Sequence, residues 1–278
     1  MSIHGLYFSS VKRRLQAFLG TSRTRASKIG RLLREPRLWP VLWPGLRHGV
    51  FPSLEHASVK FGSEFYTVLD VGASRGQFAL FALTRFPNAQ LVCFEPLPES
   101  YATLRKVMTS KNAKLHNVAL GSSRSETMMH VSTKDDSSSL LAIGAQQVTT
   151  FPGTHEDRTT KVTVDVLNTY LDNDLPRPCL LKIDVQGFEL EVLKGAGDGL
   201  ARVDEVLVEA SFVELYTGQA LADEVIRYLA DRDLRLVDVH GVVRSTDEKA
   251  LQADFLFRRS TPSHFQSMDS LGASSHQQ

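Results

Sequence analysis

Two carboxylates set around a glycine turn give the first chemical signal in this chain of 278 residues. Val68-Leu69-Asp70-Val71-Gly72-Ala73-Ser74-Arg75-Gly76-Gln77-Phe78 reads as a buried strand with an acid near its end, a tight turn and a helix start. Nineteen residues past Gly76, a second apolar run, Leu91-Val92-Cys93-Phe94, ends in Glu95 and Pro96. A carboxylate in that place accepts hydrogen bonds from both hydroxyls of a ribose, and strand–turn–helix is the layout of a nucleotide-type cofactor site on a parallel sheet. The glycines are spaced G-x-x-x-G, whereas a dinucleotide turn reads G-x-G-x-x-G. Asp70, two residues before the first glycine, repels a diphosphate and suits a cation. S-adenosylmethionine carries an ammonium and a sulfonium and no phosphate, so it is expected here in preference to NAD. The plainer alternative is an ordinary strand-turn-helix with glycine as punctuation. On the cofactor reading, Asp70, Gly72, Ala73, Arg75, Gly76 and Gln77 surround the donor together with Glu95 and Pro96.

A second set of polar residues sits farther along. Cys179 to Ile183 is an apolar run interrupted by Lys182 and ended by Asp184, and Val206-Leu207-Val208 ends in Glu209. Carboxylates at the ends of adjacent strands face the crevice where cofactor and acceptor meet. They have two uses there: accepting the proton of an acceptor hydroxyl, or holding that hydroxyl in line for displacement at carbon. Asp184 equally suits a helix N-cap, and Glu189 suits a first-turn partner of the helix dipole. Lys182 is placed to pair with Glu209 or Glu189. His56, in Leu54-Glu55-His56, is a candidate base reaching over the cofactor, or else a surface or capping histidine.

These residues need a sheet to hold them. Strands are expected at 67–71, 91–95, 114–119, 179–184, 204–209, 234–239 and 253–258. Helices are expected near 76–86, 98–110, 165–172, 187–196 and 219–232. Such alternation predicts a doubly wound parallel sheet with helices on both faces, the last strand returning antiparallel at or near the edge. Met128 to Ser132 and Lys161 to Val166 read as extra strands within a 121–163 insertion on the carboxyl side of the sheet, where a substrate lid belongs. Ser53 to Phe61 reads as a short helix with a serine cap. The Pro- and Trp-rich stretch 36–52 is expected to break regular structure. Residues 6–19 set Val11, Leu15, Phe18 and Leu19 at helical spacing beside Lys12, Arg13 and Arg14, a stripe that docks on the body of the protein or lies on an anionic membrane surface.

The net charge of +1 conceals an asymmetry. Residues 1–50 hold ten Lys or Arg and one acid, and the remainder holds 22 bases and 30 acids. No run approaches the roughly 20 apolar residues of a membrane-spanning helix, and Lys12-Arg13-Arg14 interrupts the only candidate for a signal peptide. Cys93 and Cys179 fall in apolar runs, which points to reduced buried thiols and a cytoplasmic setting. The nine histidines are scattered and neither cysteine has a neighbour at ligand spacing, so no metal site is expected. Residues 1–48 form a basic, partly helical extension, 49–259 the folded domain, and 260–278 a Ser-, Gln- and His-rich tail with little to bury, expected to be disordered.

Asp70 to Gly76, Phe94-Glu95-Pro96, Asn117-Val118-Ala119-Leu120-Gly121, Leu181-Lys182-Ile183-Asp184-Val185-Gln186-Gly187-Phe188-Glu189 with Leu193-Lys194-Gly195, and Val208-Glu209 together resemble the FkbM family of S-adenosylmethionine-dependent methyltransferases. The resemblance runs over roughly residues 49 to 259. It implies a Rossmann-like class I methyltransferase: an α/β, doubly wound, mostly parallel seven-stranded sheet with an antiparallel last strand and a β insertion before the fourth strand. It implies O-methylation of a sugar, glycolipid or polyketide-like metabolite. By position, Asp70, Gly72 and Gly76 would line the methionine and ribose, Glu95 would bind the ribose hydroxyls, Asn117 or Val118 would flank the adenine, and Asp184 would face the methyl group. Position 186 departs from the family's more usual Glu, which weakens a metal-assisted mechanism.

Two rival readings stay open. A nucleic-acid or protein methyltransferase is suggested by the basic arm, but the turn after the fourth strand is Asp184-Val185-Gln186-Gly187 and not the Asn/Asp-Pro-Pro-aromatic grip of amine methylation. The arm also lacks regular aromatic interleaving, so nucleic acid is not the expected partner; a small-molecule or glycan acceptor is. The second rival is a non-catalytic module that keeps the cofactor fold for docking. The expected location is cytoplasmic, with peripheral contact at the inner membrane surface through the basic helix.

Overall fold

The computed structural model describes residues 39–109 and 112–260. The expected helix at 6–19 and nearly all of the expected tail lie outside them. The central strand β1 (Thr67–Val71) is buried at all five positions, as its unbroken apolar run requires of a strand covered on both faces. It pairs in parallel with β2 (Gln90–Phe94) on one side and with β7 (Cys179–Ile183) on the other. The remaining strands of the main sheet are β3 (Ala113–His116), β8 (Glu205–Ser211), β9 (Leu234–Arg244) and β10 (Ala250–Arg259). The order across it is β3-β2-β1-β7-β8-β10-β9, and β10 runs antiparallel to both β8 and β9. The last strand thus slots between its two predecessors, and β9 forms the edge. This is the class I methyltransferase arrangement expected above, with the seventh strand inserted one place in from the edge.

The alternation of side chains along each strand divides the core in two. Leu69, Val71, Leu181, Ile183, Val206 and Val208 pack on one face against helices α5 (Glu189–Ala196) and α6 (Ala222–Ala230). Val68, Leu91, Leu180 and Leu207 pack on the other, against α2 (Gln77–Arg85) and α3 (Pro98–Val107). The same alternation puts Asp70, Lys182 and Glu209 on the second face, and Asp184 two residues beyond Lys182 at its carboxyl end. One sequence rule therefore fills the core and gathers the charges.

Between β3 and β7 the chain forms a separate three-stranded sheet, ordered β4-β6-β5, from β4 (Ala119–Leu120), β5 (Ser125–Ser132) and β6 (Glu156–Asp165). It closes a small apolar cluster of its own around Met129, Val131, Val162 and Val164. A short helix, α4 (Ala145–Thr150), lies within this insertion.

Several expectations are corrected. Trp39–Arg47 is a helix (α1) despite Pro40 and Pro44; Pro40 falls in the first turn, where its missing N–H has no partner to lose, so only Pro44 interrupts the ladder. The expected strand 114–119 divides at Asn117, one part joining each sheet. The expected helix 165–172 is a single 3-10 turn, Leu167–Tyr170. The expected capped helix near 53–61 is a 3-10 turn, Leu54–Ser58, and the Ser53 hydroxyl turns to the His56 ring (3.0 Å from Nδ1) instead of capping an amide.

Candidate active site

A cleft open to solvent lies at the carboxyl edge where β1, β2 and β7 meet the insertion. Its floor depends on Gly72. That residue has φ +81°, and a Cβ there would come within 1.8 Å of the Asp184 carbonyl oxygen, so the turn after β1 and the end of β7 touch backbone to backbone. The amides of Gly72 and Ala73 donate to the Phe94 carbonyl at 3.1 and 2.9 Å, folding the turn onto β2. Gly195 does a similar job nearby: a Cβ would meet the Gly121 carbonyl oxygen at 2.0 Å, so α5 packs directly on the strand that leads into the insertion.

Glu95, 5% exposed, is fixed at the cleft wall by two backbone donors. Its Oε2 accepts from the Ser74 amide and its Oε1 from the Leu97 amide, both at 2.8 Å. Ser74 takes a left-handed conformation (φ 48°) to present that amide. The wall includes three acids, Glu95, Asp136 and Asp184, and among the described residues no lysine or arginine. Phe94, Val118, Leu140 and Phe188 supply apolar surface. An acidic, base-free wall suits a cationic ligand and repels a pyrophosphate.

Of the residues expected around a donor, Gly72, Glu95, Pro96 and Val118 line this cleft, and so does Asp184. The others lie behind it or beside it. Asp70 is fully buried beneath the turn. Ala73 is buried, Gly76 precedes the first turn of α2, and Gln77 Oε1 accepts from the amide of exposed Arg75. Asn117 turns toward the backbone: its Nδ2 donates to the carbonyls of Glu95 (2.8 Å) and Pro96 (3.0 Å), so it braces the loop that carries the carboxylate.

Behind the cleft a charge cluster forms on the α2 face of the sheet. Lys182 Nζ, almost wholly buried, lies 3.5 Å from Asp70 Oδ1, 3.4 Å from Asp184 Oδ2 and 5.5 Å from the centre of the Phe78 ring. Burial alone lowers the Lys182 pKa, but the charges of Asp184, Asp70, Asp254 and Glu209 outweigh it and the net shift is upward, so the ammonium persists. Burial likewise pushes Asp70 up, against the pull of Lys182. Glu209 is driven well above the usual carboxylate range by burial and then by Asp184, Asp254 and Glu189. Glu189 Oε1 accepts from the amides of Val185 (3.1 Å) and Gly187 (3.0 Å), yet burial still lifts its carboxyl to about 7. Asp184 keeps one oxygen near Lys182 and gives the other, Oδ1, to Gln186 Nε2 at 2.7 Å.

His56 belongs to this cluster and not to the cleft wall. Its ring stands edge-on to Phe78 with centroids 5.1 Å apart, and its Nε2 is 3.6 Å from Asp254 Oδ2, beyond hydrogen-bond reach. Burial, then Lys182, lowers His56 to about 4, while burial and Asp184 raise Asp254 to about 7. At neutral pH the imidazole is therefore uncharged.

Gln186 Nε2 also donates to Glu209 Oε2 at 3.0 Å, its Oε1 accepts from the Tyr216 hydroxyl at 2.7 Å, and Gln252 Nε2 donates to Glu209 Oε1 at 2.9 Å. The sequence singles out Gln186 only as a departure from the family's run and passes over Tyr216, Gln252 and Asp254. Gln252 and Asp254 lie on β10, which the sequence gives no reason to seat beside β8, and Tyr216 lies in a loop without a motif.

The methyltransferase FkbM domain model matches residues 70–236, three-fifths of the chain. Curated relatives include methyltransferase 1 of Beauveria bassiana, 29% identical over 162 residues, which cover 51% of this chain and 63% of that protein. The 2-O-methyltransferase NoeI of Sinorhizobium fredii is 29% identical over 160 residues (55% of this chain, 66% of the relative). The hexuronic acid methyltransferase AglP of Haloferax volcanii is 28% identical over 171 residues (59% and 66%). The chain thus spans just under two thirds of the length of these relatives. No helix among the described residues is long and apolar enough to cross a membrane. With the family model covering the Gly72 turn, the insertion and the Asp184 motif alike, this chain belongs to the FkbM methyltransferase domain family.

Proposed function

We propose that the protein transfers a methyl group from S-adenosylmethionine to a hydroxyl oxygen of a sugar-like acceptor. The observation that carries this reading is Glu95, an acceptor-only carboxylate fixed by two backbone amides on the wall of a cleft that Asp184 also lines. The donor fits the residues present. Glu95 receives the ribose hydroxyls, the Gly72 turn leaves room for close backbone approach, and the acidic, lysine-free wall favours an ammonium and a sulfonium over a pyrophosphate. When bound, S-adenosylmethionine supplies an electrophilic methyl carbon.

The chain's own contribution is to orient the acceptor and take its proton. A neutral hydroxyl is a poor nucleophile, so a base within reach raises the rate. Asp184 is the cleft-lining carboxylate beside Lys182, and it receives the proton as the acceptor oxygen is alkylated. His56, packed on Phe78 away from the cleft wall, takes no proton in this step. The sugar-like acceptor is supported by the names of two relatives, a 2-O-methyltransferase and a hexuronic acid methyltransferase.

Isothermal titration with S-adenosylmethionine is expected to give saturable heat, and titration with NAD none. A screen of sugar acceptors with labelled methyl donor then identifies the product. Asp184→Asn should lower turnover by about 100-fold or more while donor affinity stays within a few-fold. Full activity in that variant would remove Asp184 from the proton step, and heat with NAD alone would remove the donor assignment.

A further inference from the structure

Gln186 is the most tightly constrained side chain in the cluster, and proton transfer by Asp184 does not by itself explain it. The side chain bridges two carboxylates, Asp184 Oδ1 at 2.7 Å and Glu209 Oε2 at 3.0 Å, through one nitrogen. The amide orientation is fixed by chemistry: reversed, it would set a carbonyl oxygen against both carboxylates. Tyr216, itself 2% exposed, donates its hydroxyl to Gln186 Oε1 at 2.7 Å. The backbone sits in the left-handed region (φ 57°), and its carbonyl accepts from the Ser139 hydroxyl at 2.7 Å. The insertion, the loop after β8 and the end of β7 thus converge on a single glutamine.

We propose that Gln186 is a positioning residue: clamped by Tyr216 and Ser139, it separates Asp184 from Glu209 and fixes the Asp184 carboxyl at the cleft wall. The purpose of that role rests on the methyl-transfer reading above; its geometry does not. The other groups facing the pair are Lys182 on β7, Asp70 on β1, Glu189 on α5, Asp254 on β10, His56 on the 3-10 turn and Tyr216, with His240 acting on His56 and Asp136 on Tyr216. Lys182 lies on Asp184 Oδ2, and the two amide hydrogens of Gln186 are the donors that stand between the two carboxylates.

The test is a carboxyl titration of the full chain without donor or acceptor, followed by NMR of 13C-labelled Asp and Glu. Gln186→Glu keeps the shape, removes both donors and adds a third carboxylate. The last proton should then leave the Asp184–Glu209 pair at a pH higher by about one unit or more. Gln186→Met removes the donors without adding charge and should give a smaller rise, and Tyr216→Phe, which frees the amide and the Ser137 carbonyl, the smallest. An unshifted last step in Gln186→Glu overturns the proposal. If that variant fails to fold, Tyr216→Phe decides, and no shift there overturns it equally. Donor binding without the shift removes the positioning role alone; the shift without donor binding removes the methyl-transfer reading alone.

Discussion

The two halves of the sheet's carboxyl edge are built in opposite ways. At β1 and β2 the backbone does the holding: the amides of Gly72 and Ala73 grip Phe94, and the amides of Ser74 and Leu97 grip the Glu95 carboxylate. At β7 and β8 the side chains do it: Lys182, Asp184, Gln186, Glu209, Gln252 and Tyr216 satisfy one another across three strands and a loop. A backbone-built site has its shape set by the fold. A side-chain-built site depends on who holds each proton. The first arrangement suits recognition of an invariant donor, the second suits moving a proton.

Three changes break or sharpen that contrast. The largest effect should come from Lys182→Met, which leaves Asp70 and Asp184 without their ammonium. Removing one partner of a buried ion pair costs about 3–5 kcal/mol, read by urea denaturation at pH 8. The cost should shrink toward pH 5, where the stranded carboxylates accept protons; a cost independent of pH would mean that the cluster is not held by charge. Glu95→Ala should weaken donor affinity by about 1.5–3 kcal/mol, the loss of charge-assisted hydrogen bonds, with the titration behaviour of the far cluster untouched. Unchanged affinity in the calorimeter would place the ribose elsewhere.

Asp254→Asn should give the most telling sign. The folded carboxyl keeps its proton up to about 7 while the unfolded one releases it near 3.8, so this group makes folding less favourable as pH climbs between those values. Removing it should turn the stability difference progressively in the variant's favour from pH 4 to pH 7, by about 3 kcal/mol. A difference that stays flat over that range would mean that Asp254 is ionised in the fold throughout.

The same contrast explains what could be read from the sequence. Gly72 and Glu95 were legible because a backbone-built site demands glycine at a contact and an acid at a strand end, both local and only 23 residues apart. Asp184, Lys182 and Glu209 were legible as strand-end polar residues, and their shared face followed from the period of two. Their partners were not. Tyr216 and Asp254 reach the cluster through a loop and through the insertion of β10 between β8 and β9, and neither event leaves a local pattern. Asn117 misled for a related reason: it lies where a ligand contact is expected, yet its amide spends both donors on the backbone carbonyls of Glu95 and Pro96. The helix at Trp39–Arg47 was missed because proline was weighed as a breaker without regard to its place in the first turn.

The central claim is tested most directly by a crystal structure of the full chain with S-adenosylhomocysteine. The ribose hydroxyls should lie on the Glu95 carboxylate, with the sulfur directed toward Asp184. A cleft that stays empty at saturating ligand, or one that takes a pyrophosphate compound across the Gly72 turn instead, would contradict it.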